Sequence, residues 1–265
     1  MNPNLNTPIH LNHQHLGLGS PLVILHGLFG NGTNWRSTAR RLSECRKIYL
    51  PDARNHGTSD HAPSMDYLTL AQDALNFMDR QGLNDADIMG HSMGGKTAMH
   101  LALAAPERVR SLLIVDIAPE VSPSDHLPLI EAMQALPLDQ IKQRREADEA
   151  LSISVSDAGL RAFLLQNLIT ENNQLSWRID LTAIRSAMPD LLDFPSPPRQ
   201  AQYSGSVLFL RGQRSNYVLD KSESSIKALF PKAKIQTIAN AGHWPHAEQP
   251  EEFTNAVKTF LGCKD

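Results

Sequence analysis

Six consecutive residues, Gly90-His91-Ser92-Met93-Gly94-Gly95, set a serine hydroxyl between small neighbours. The pattern Gly-x-Ser-x-Gly suits a nucleophile on a tight turn from strand to helix. Such a turn forces the serine into a strained backbone conformation, and glycines at 90 and 94 remove side chains that would clash across it. The hydroxyl is then pushed out above a sheet. A helix starting at Met93 brings free N–H groups and the positive end of its dipole to the point where an oxyanion develops. Chance supplies this pattern on the order of 0.1 times in a chain of such composition, so the reading depends on its partners. His91, the variable residue of the turn, is expected to pack under neighbouring loops or line a pocket, not to act as base.

Two further segments supply partners for acyl transfer. Leu25-His26-Gly27-Leu28-Phe29-Gly30 ends an apolar run in a Gly-bounded turn that can aim backbone N–H groups at a substrate. The oxyanion donors expected are the N–H of Met93 and that of Leu28, with Phe29 the rival to Leu28. Ala239-Asn240-Ala241-Gly242-His243-Trp244-Pro245-His246 follows the last strand-like run. His243 is the base chosen, because Gly242 lends its backbone freedom, while His246 braces the loop or lines the pocket. The acid has two possible places. The segment 211–218 holds no carboxylate before Asp220, whereas Val115-Asp116-Ile117 puts one at the end of an earlier strand. Asp116 is therefore the expected acid, holding His243 in the right tautomer, and Asp220 is the runner-up. Phe29, His91, Trp244 and Arg178 are candidate pocket residues. Arg178 and Arg185 could meet an anionic substrate group but fit a solvated surface better, and Trp177 fits packing.

These groups need a scaffold that brings distant loops to one edge. Short apolar runs at 21–25, 47–50, 87–89, 112–115, 207–210 and 234–238 read as buried strands. Between them, 35–42, 67–81, 93–103, 222–229 and 250–260 carry apolar residues at helical spacing, the last opening with proline and two glutamates. This rhythm predicts an α/β fold with a mostly parallel central sheet flanked by helices. It breaks between Pro119 and Tyr203, where helix-like stretches at 127–136 and 160–168 follow one another without a convincing strand. The expectation is a core of residues 1–118 and 204–265, with a helical lid at 119–203 inserted before the penultimate core strand. Pro195, Pro197 and Pro198 would form a stiff connector back to the sheet.

Composition narrows the partners. With 265 residues, 25 basic and 28 acidic groups and a net charge of −3, the chain offers no basic patch for nucleic acid. Two cysteines, Cys45 and Cys263, give no disulfide framework or zinc spacing and fit a reducing compartment. The opening Met1-Asn2-Pro3-Asn4-Leu5-Asn6 lacks the features of a signal peptide, and no apolar stretch is long enough to span a membrane, so a cytoplasmic location is expected. The histidines between 10 and 15 lack a neighbouring carboxylate or cysteine and read as an exposed strand or turn, not a metal tract.

The motifs also resemble a family. Leu25-His26-Gly27-Leu28-Phe29-Gly30, Asp52-Ala53-Arg54-Asn55-His56-Gly57-Thr58-Ser59, Gly90 to Lys96, Val115-Asp116-Ile117-Ala118-Pro119 and the segment 242–250 are similar to those of YbfF-like bacterial esterases and their eukaryotic abhydrolase-domain relatives, in the α/β-hydrolase superfamily. The resemblance implies a Ser92, Asp116 and His243 triad, hydrolysis of carboxylic esters with acyl-CoA thioesters as further substrates, and no cofactor. It implies that Arg54, Asn55 and His56 order the loop beside the site. The same fold also serves carbon-carbon hydrolases, lyases and acyltransferases, and a binding module could keep its pocket. The intact serine, histidine and aspartate argue against the last. Acyl length and oligomeric state are not legible.

Overall fold

The computed structural model describes residues 9–123, 126–195 and 201–263. Its strands and helices, in chain order, begin with β1 (His13–Leu16), β2 (Pro21–Leu25), α1 (Arg36–Leu42), β3 (Lys47–Pro51), α2 (Tyr67–Arg80), β4 (Ala86–His91), α3 (Met93–Ala104) and β5 (Val109–Val115). Then come α4 (Leu127–Gln134), α5 (Arg144–Leu151), α6 (Ala158–Leu165), β6 (Leu168–Glu171), β7 (Gln174–Trp177) and α7 (Leu181–Leu192). The chain closes with β8 (Ser206–Gly212), α8 (Glu223–Leu229), β9 (Ala233–Ile238), α9 (Pro245–Glu248) and α10 (Pro250–Leu261).

Seven strands form one sheet in the order β1-β3-β2-β4-β5-β8-β9. Only the edge pair β1–β3 is antiparallel. Side chains alternate along each strand, so the two faces take different helices. Leu22 and Ile24 of β2 join Trp35, Phe253 and Val257 in the layer of α1 and α10. Val23 and Leu25 join Phe77, Met99 and Ile226 in the layer of α2, α3 and α8. The helices start where local chemistry favours it: the Asp66 side chain accepts from Thr69 N at the head of α2, and α10 has Pro250 in its first turn and a left-handed Gly262 as its stop. Chain order reverses between β2 and β4, the place where open α/β sheets form crevices at their carboxyl ends.

The chain leaves the sheet after β5 and returns at β8. The intervening elements pack Ile130, Met133, Leu164, Ile184 and Met188 onto Phe29, Tyr67 and Met93 of the core, a third cluster on the crevice side. A purely helical insertion was expected, and the structure corrects this with a hairpin. The four-residue strands β6 and β7 pair antiparallel with Glu171 opposite Gln174. Asn172 and Asn173 between them both hold positive φ, 51° and 61°. Two such residues are what a two-residue hairpin turn requires. Pro195 lies just beyond α7; Pro197 and Pro198, like residues 1–8, lie outside the described residues.

The cysteines need a second correction. Cys45 and Cys263, 218 residues apart, are joined in a disulfide. Separation in sequence hid it. Helix α10 runs beside α1, and Arg46 gathers the corner by donating to Cys45 O at 2.8 Å and to Leu261 O. The 10–15 segment enters β1, the edge strand, where His13 and His15 stack at 5.9 Å. Among the described residues no helix is long and apolar enough to cross a membrane.

Candidate active site

Ser92 stands between the end of β4 and the start of α3 with φ 52° and ψ −117°. A serine there is strained, by about 1–3 kcal/mol, and persists because its surroundings hold it. Its N–H donates to Val115 O at 3.1 Å, and its carbonyl accepts from Lys96 N at 3.0 Å. The turn passes so close to β2 that a Cβ on Gly94 would lie 2.3 Å from Leu25 O. Met93 opens α3, so its N–H has no acceptor one turn back within the helix.

Asp116 follows β5 on the neighbouring strand, fully buried and at φ 50°. Its Oδ1 accepts from Gly212 N at 2.9 Å, at the end of β8. Its Oδ2 lies 2.8 Å from His243 Nδ1 and also accepts from the Ser215 hydroxyl. The ring of Tyr217 stacks on His243 at 3.8 Å. With Nδ1 turned to a carboxylate, His243 presents Nε2 for proton transfer. Asp220 is elsewhere, paired with Arg211 at 2.7 Å and 93% exposed. Gly242, chosen for its backbone freedom, is not among the glycines at positive φ. The glycine this loop needs is Gly212, where a Cβ would lie 2.0 Å from Gly242 O.

The other histidines around the crevice hold backbone groups or pack. His91 Nε2 donates to His243 O at 2.8 Å, pinning the loop that carries the base. Burial first, then the charge of His243, hold His91 well below the usual imidazole range. His246 stacks on Trp35 at 4.1 Å and is pushed down to about 3, by burial and then by His243. His26 Nδ1 donates to Gly27 O at 2.8 Å, and its Nε2 accepts from Ala53 N at 2.9 Å. Burial lowers it too.

The turn after β2 separates the two rival donors. Phe29, at φ 62°, gives its N–H to His56 Nε2 at 3.1 Å. His56 in turn donates from Nδ1 to Arg54 O at 2.9 Å and is held neutral, down to about 3, by burial and then by His26. Leu28 N–H has no acceptor among the described residues. The Phe29 carbonyl is fixed from the insertion by Asn167 Nδ2 at 2.8 Å. Neither Asn167 nor Ser215 and Tyr217 carry a motif, so sequence reasoning passed over them.

Two pockets meet at Ser92. The wider is lined by Leu28, Phe29, His91, Phe163, His243 and Trp244 among others. The narrower is lined by Leu28, Tyr67, Met93, Met188, Leu191 and Leu192, with Ser122, His126 and Tyr217 adding polar groups. Phe29, His91 and Trp244 thus stand where a pocket was expected. Arg178 does not: it is exposed and lines neither pocket, its N–H donating to Asn167 O at 2.8 Å. Arg185 pairs with Glu131 at 2.8 Å, and Trp177 donates to Met133 O at 3.1 Å.

Comparisons with known proteins bear on the fold and the family. Residues 20–250 match the family model of the alpha/beta hydrolase fold. The Mus musculus protein named sn-1-specific diacylglycerol lipase ABHD11 is 42% identical over 248 residues, covering 91% of this chain and 80% of its own length. Escherichia coli (strain K12) esterase YbfF is 32% identical over 243 residues, covering 91% of this chain and 93% of its own. The solved structure of a marine microorganism esterase superimposes with a TM-score of 0.93 at 37% identity, covering 96% of this chain and 100% of that one.

Proposed function

The chain belongs to the alpha/beta hydrolase family and is a carboxylic ester hydrolase; on that premise we propose that it works through an acyl-enzyme on Ser92, with His243 as base and Asp116 as its orienting acid. The observation that carries the reading is the 2.8 Å Asp116–His243 pair facing, from β5 and the loop after β9, the pocket that Ser92 lines. His243 Nε2 takes the Ser92 proton as Oγ attacks the acyl carbonyl carbon. The carbonyl oxygen, now negative, is held by the N–H groups of Leu28 and Met93, each worth about 3 kcal/mol. The carbon-to-leaving-group bond breaks, and the imidazolium returns its proton to the departing oxygen. Water then gives a proton to His243 and attacks the acyl carbon, the bond from that carbon to Ser92 Oγ breaks, and the imidazolium returns the proton to Oγ, freeing the acid and Ser92.

The same steps apply to a thiol leaving group, so acyl-CoA thioesters fall within the reading. Residues 119–203 act in it as a lid over Ser92. Hydrolysis of a graded set of acyl esters and acyl-CoA thioesters, with Ser92→Ala protein as the blank, tests it. Serine-dependent turnover peaking at one chain length is expected. Turnover equal to the blank would reject the acyl-enzyme in favour of carbon-carbon chemistry on the same fold or a binding role.

A further inference from the structure

Lys96 lies one turn after Ser92 on α3, fully buried, and acyl transfer leaves it unused. A buried ammonium is costly unless its protons have acceptors. All three do: Ser122 Oγ at 2.8 Å, Leu192 O at 2.8 Å and Asp193 O at 2.9 Å. Ser122 belongs to the segment by which the chain leaves the sheet, and Leu192 and Asp193 close α7, by which it comes back. Ser122 N also donates to Leu192 O at 2.7 Å. One side chain thus ties both ends of the insertion to the nucleophile helix. The charge sits at the negative end of the α7 dipole and 5.6 Å from the centre of the Tyr67 ring. The Tyr67 hydroxyl donates to Leu191 O at 2.7 Å, so α2 grips the same turn. Burial lowers the ammonium to about 8, the nearby Asp193 charge opposing the fall.

That turn of α7 is also a wall of the narrower pocket. The group that leaves must meet His243, which protonates it, and His243 lines the wider pocket but not the narrower. The acyl carbon, bonded to Ser92 with its oxygen toward Leu28 and Met93, has the narrower pocket left for its chain. Both N–H bearers line it.

Resting on the Ser92 acyl-enzyme reading, we propose that the pocket walled by Tyr67, Met188, Leu191 and Leu192 is the acyl-chain subsite, and that Lys96 is the positioning residue that sets its depth. A pocket whose aliphatic wall, here Met188, Leu191 and Leu192, fits a chain discriminates roughly 10-fold or more per methylene, but only while that wall holds still.

The test is kcat and KM for Lys96→Met protein over 4-nitrophenyl esters from acetyl to dodecanoyl, beside the unaltered enzyme and the Ser92→Ala blank. Discrimination between the preferred chain and longer ones should fall by roughly 10-fold or more, on the order of the loss of one fitted methylene contact. The change should sit mainly in KM, with kcat falling less than KM rises. Ser122→Ala, which deletes one acceptor and disturbs folding less but also removes a hydroxyl that lines the pocket, should flatten the profile in the same direction by a smaller factor. Met188→Trp, which fills the pocket, should move the preferred acyl chain shorter while the ranking of alcohols on acetate esters stays as it was. An unchanged profile in Ser122→Ala and Lys96→Met proteins, or one common loss of kcat on every ester, would overturn the role of Lys96. A shifted alcohol ranking in Met188→Trp protein would assign the pocket to the leaving group and overturn the subsite. Full activity in the blank would show instead that the acyl-enzyme reading had failed.

Discussion

Three side chains at the crevice hold backbone conformations that residues other than glycine seldom take: Phe29 at φ 62°, Ser92 at 52° and Asp116 at 50°. Each sits at the carboxyl end of a strand, and each is held by bonds from another element. His56 takes the Phe29 N–H, Val115 the Ser92 N–H, and Gly212 caps the Asp116 carboxylate. Strain concentrated this way fixes direction where chemistry needs it. For Asp116 the direction decides a tautomer. In Asp116→Asn protein the amide would offer an N–H to His243 Nδ1, so the ring would flip its proton to Nε2 and lose its basic nitrogen toward Ser92. We expect kcat to fall by roughly 10⁴-fold with KM little changed, as the serine-protease precedent for this substitution suggests. Steady-state kinetics on a short-chain ester will check it, and a loss under about 10-fold would remove Asp116 from the triad. At this scale the sequence spoke through spacing: Ser92, His243 and Asp116 were chosen from loop position. The choice between Leu28 and Phe29 was closed to it, because it turns on an imidazole 27 residues further on.

The loop that follows β3 behaves as an element of its own. Asp52 accepts from Gly32 N at 2.7 Å and from Thr58 N at 2.8 Å, closing the loop onto the turn after β2. Arg54 then crosses to α2, where Asp73 receives its Nε at 2.6 Å and its Nη2 at 2.8 Å, both side chains buried. Asp73 also accepts from Ile9 N at 3.0 Å. A paired, buried charge of this kind adds little over a well-packed apolar pair, yet it is expensive to break on one side. Asp73→Ala should therefore cost about 3–5 kcal/mol of unfolding free energy. Urea denaturation will measure it, and a cost under about 1 kcal/mol would mean that the guanidinium has water or another anion to turn to. Elements long enough to show a period, such as α2 and α3, were legible in the apolar pattern. The β6–β7 hairpin was not, since two four-residue strands are too short to display alternation. The signal that existed was the Asn172-Asn173 pair at its turn.

At the scale of the molecule, the sheet order explains why residues from five loops meet. The carboxyl ends of β2, β4, β5, β8 and β9 lie side by side, and each contributes a turn to the crevice. Alternating strands and helices announced that class of sheet, because each parallel crossover needs a helix. They could not announce what joins the two ends of the chain. Cys45 lies just after α1 and Cys263 just after α10, and only the packing of those helices brings the sulfurs together. A disulfide forms and persists in oxidising surroundings, so the cysteines no longer speak for a reducing compartment. Closing a loop of 218 residues removes much freedom from the unfolded chain; the entropy estimate for so long a loop is about 5 kcal/mol. A domain of this size loses roughly 2–4 °C in Tm for each kcal/mol, so Cys45→Ser/Cys263→Ser protein should melt roughly 10 °C or more below the parent. Because the bridge lies on the α1–α10 face, away from the crevice, ester turnover at 25 °C should be kept, as roughly expected for a change that acts through the unfolded state. Calorimetry with and without a phosphine reductant will show whether reduction of the parent reproduces the double variant. An unchanged Tm in both would mean that Arg46, which also grips Cys45 and Leu261, already holds that corner without the bond.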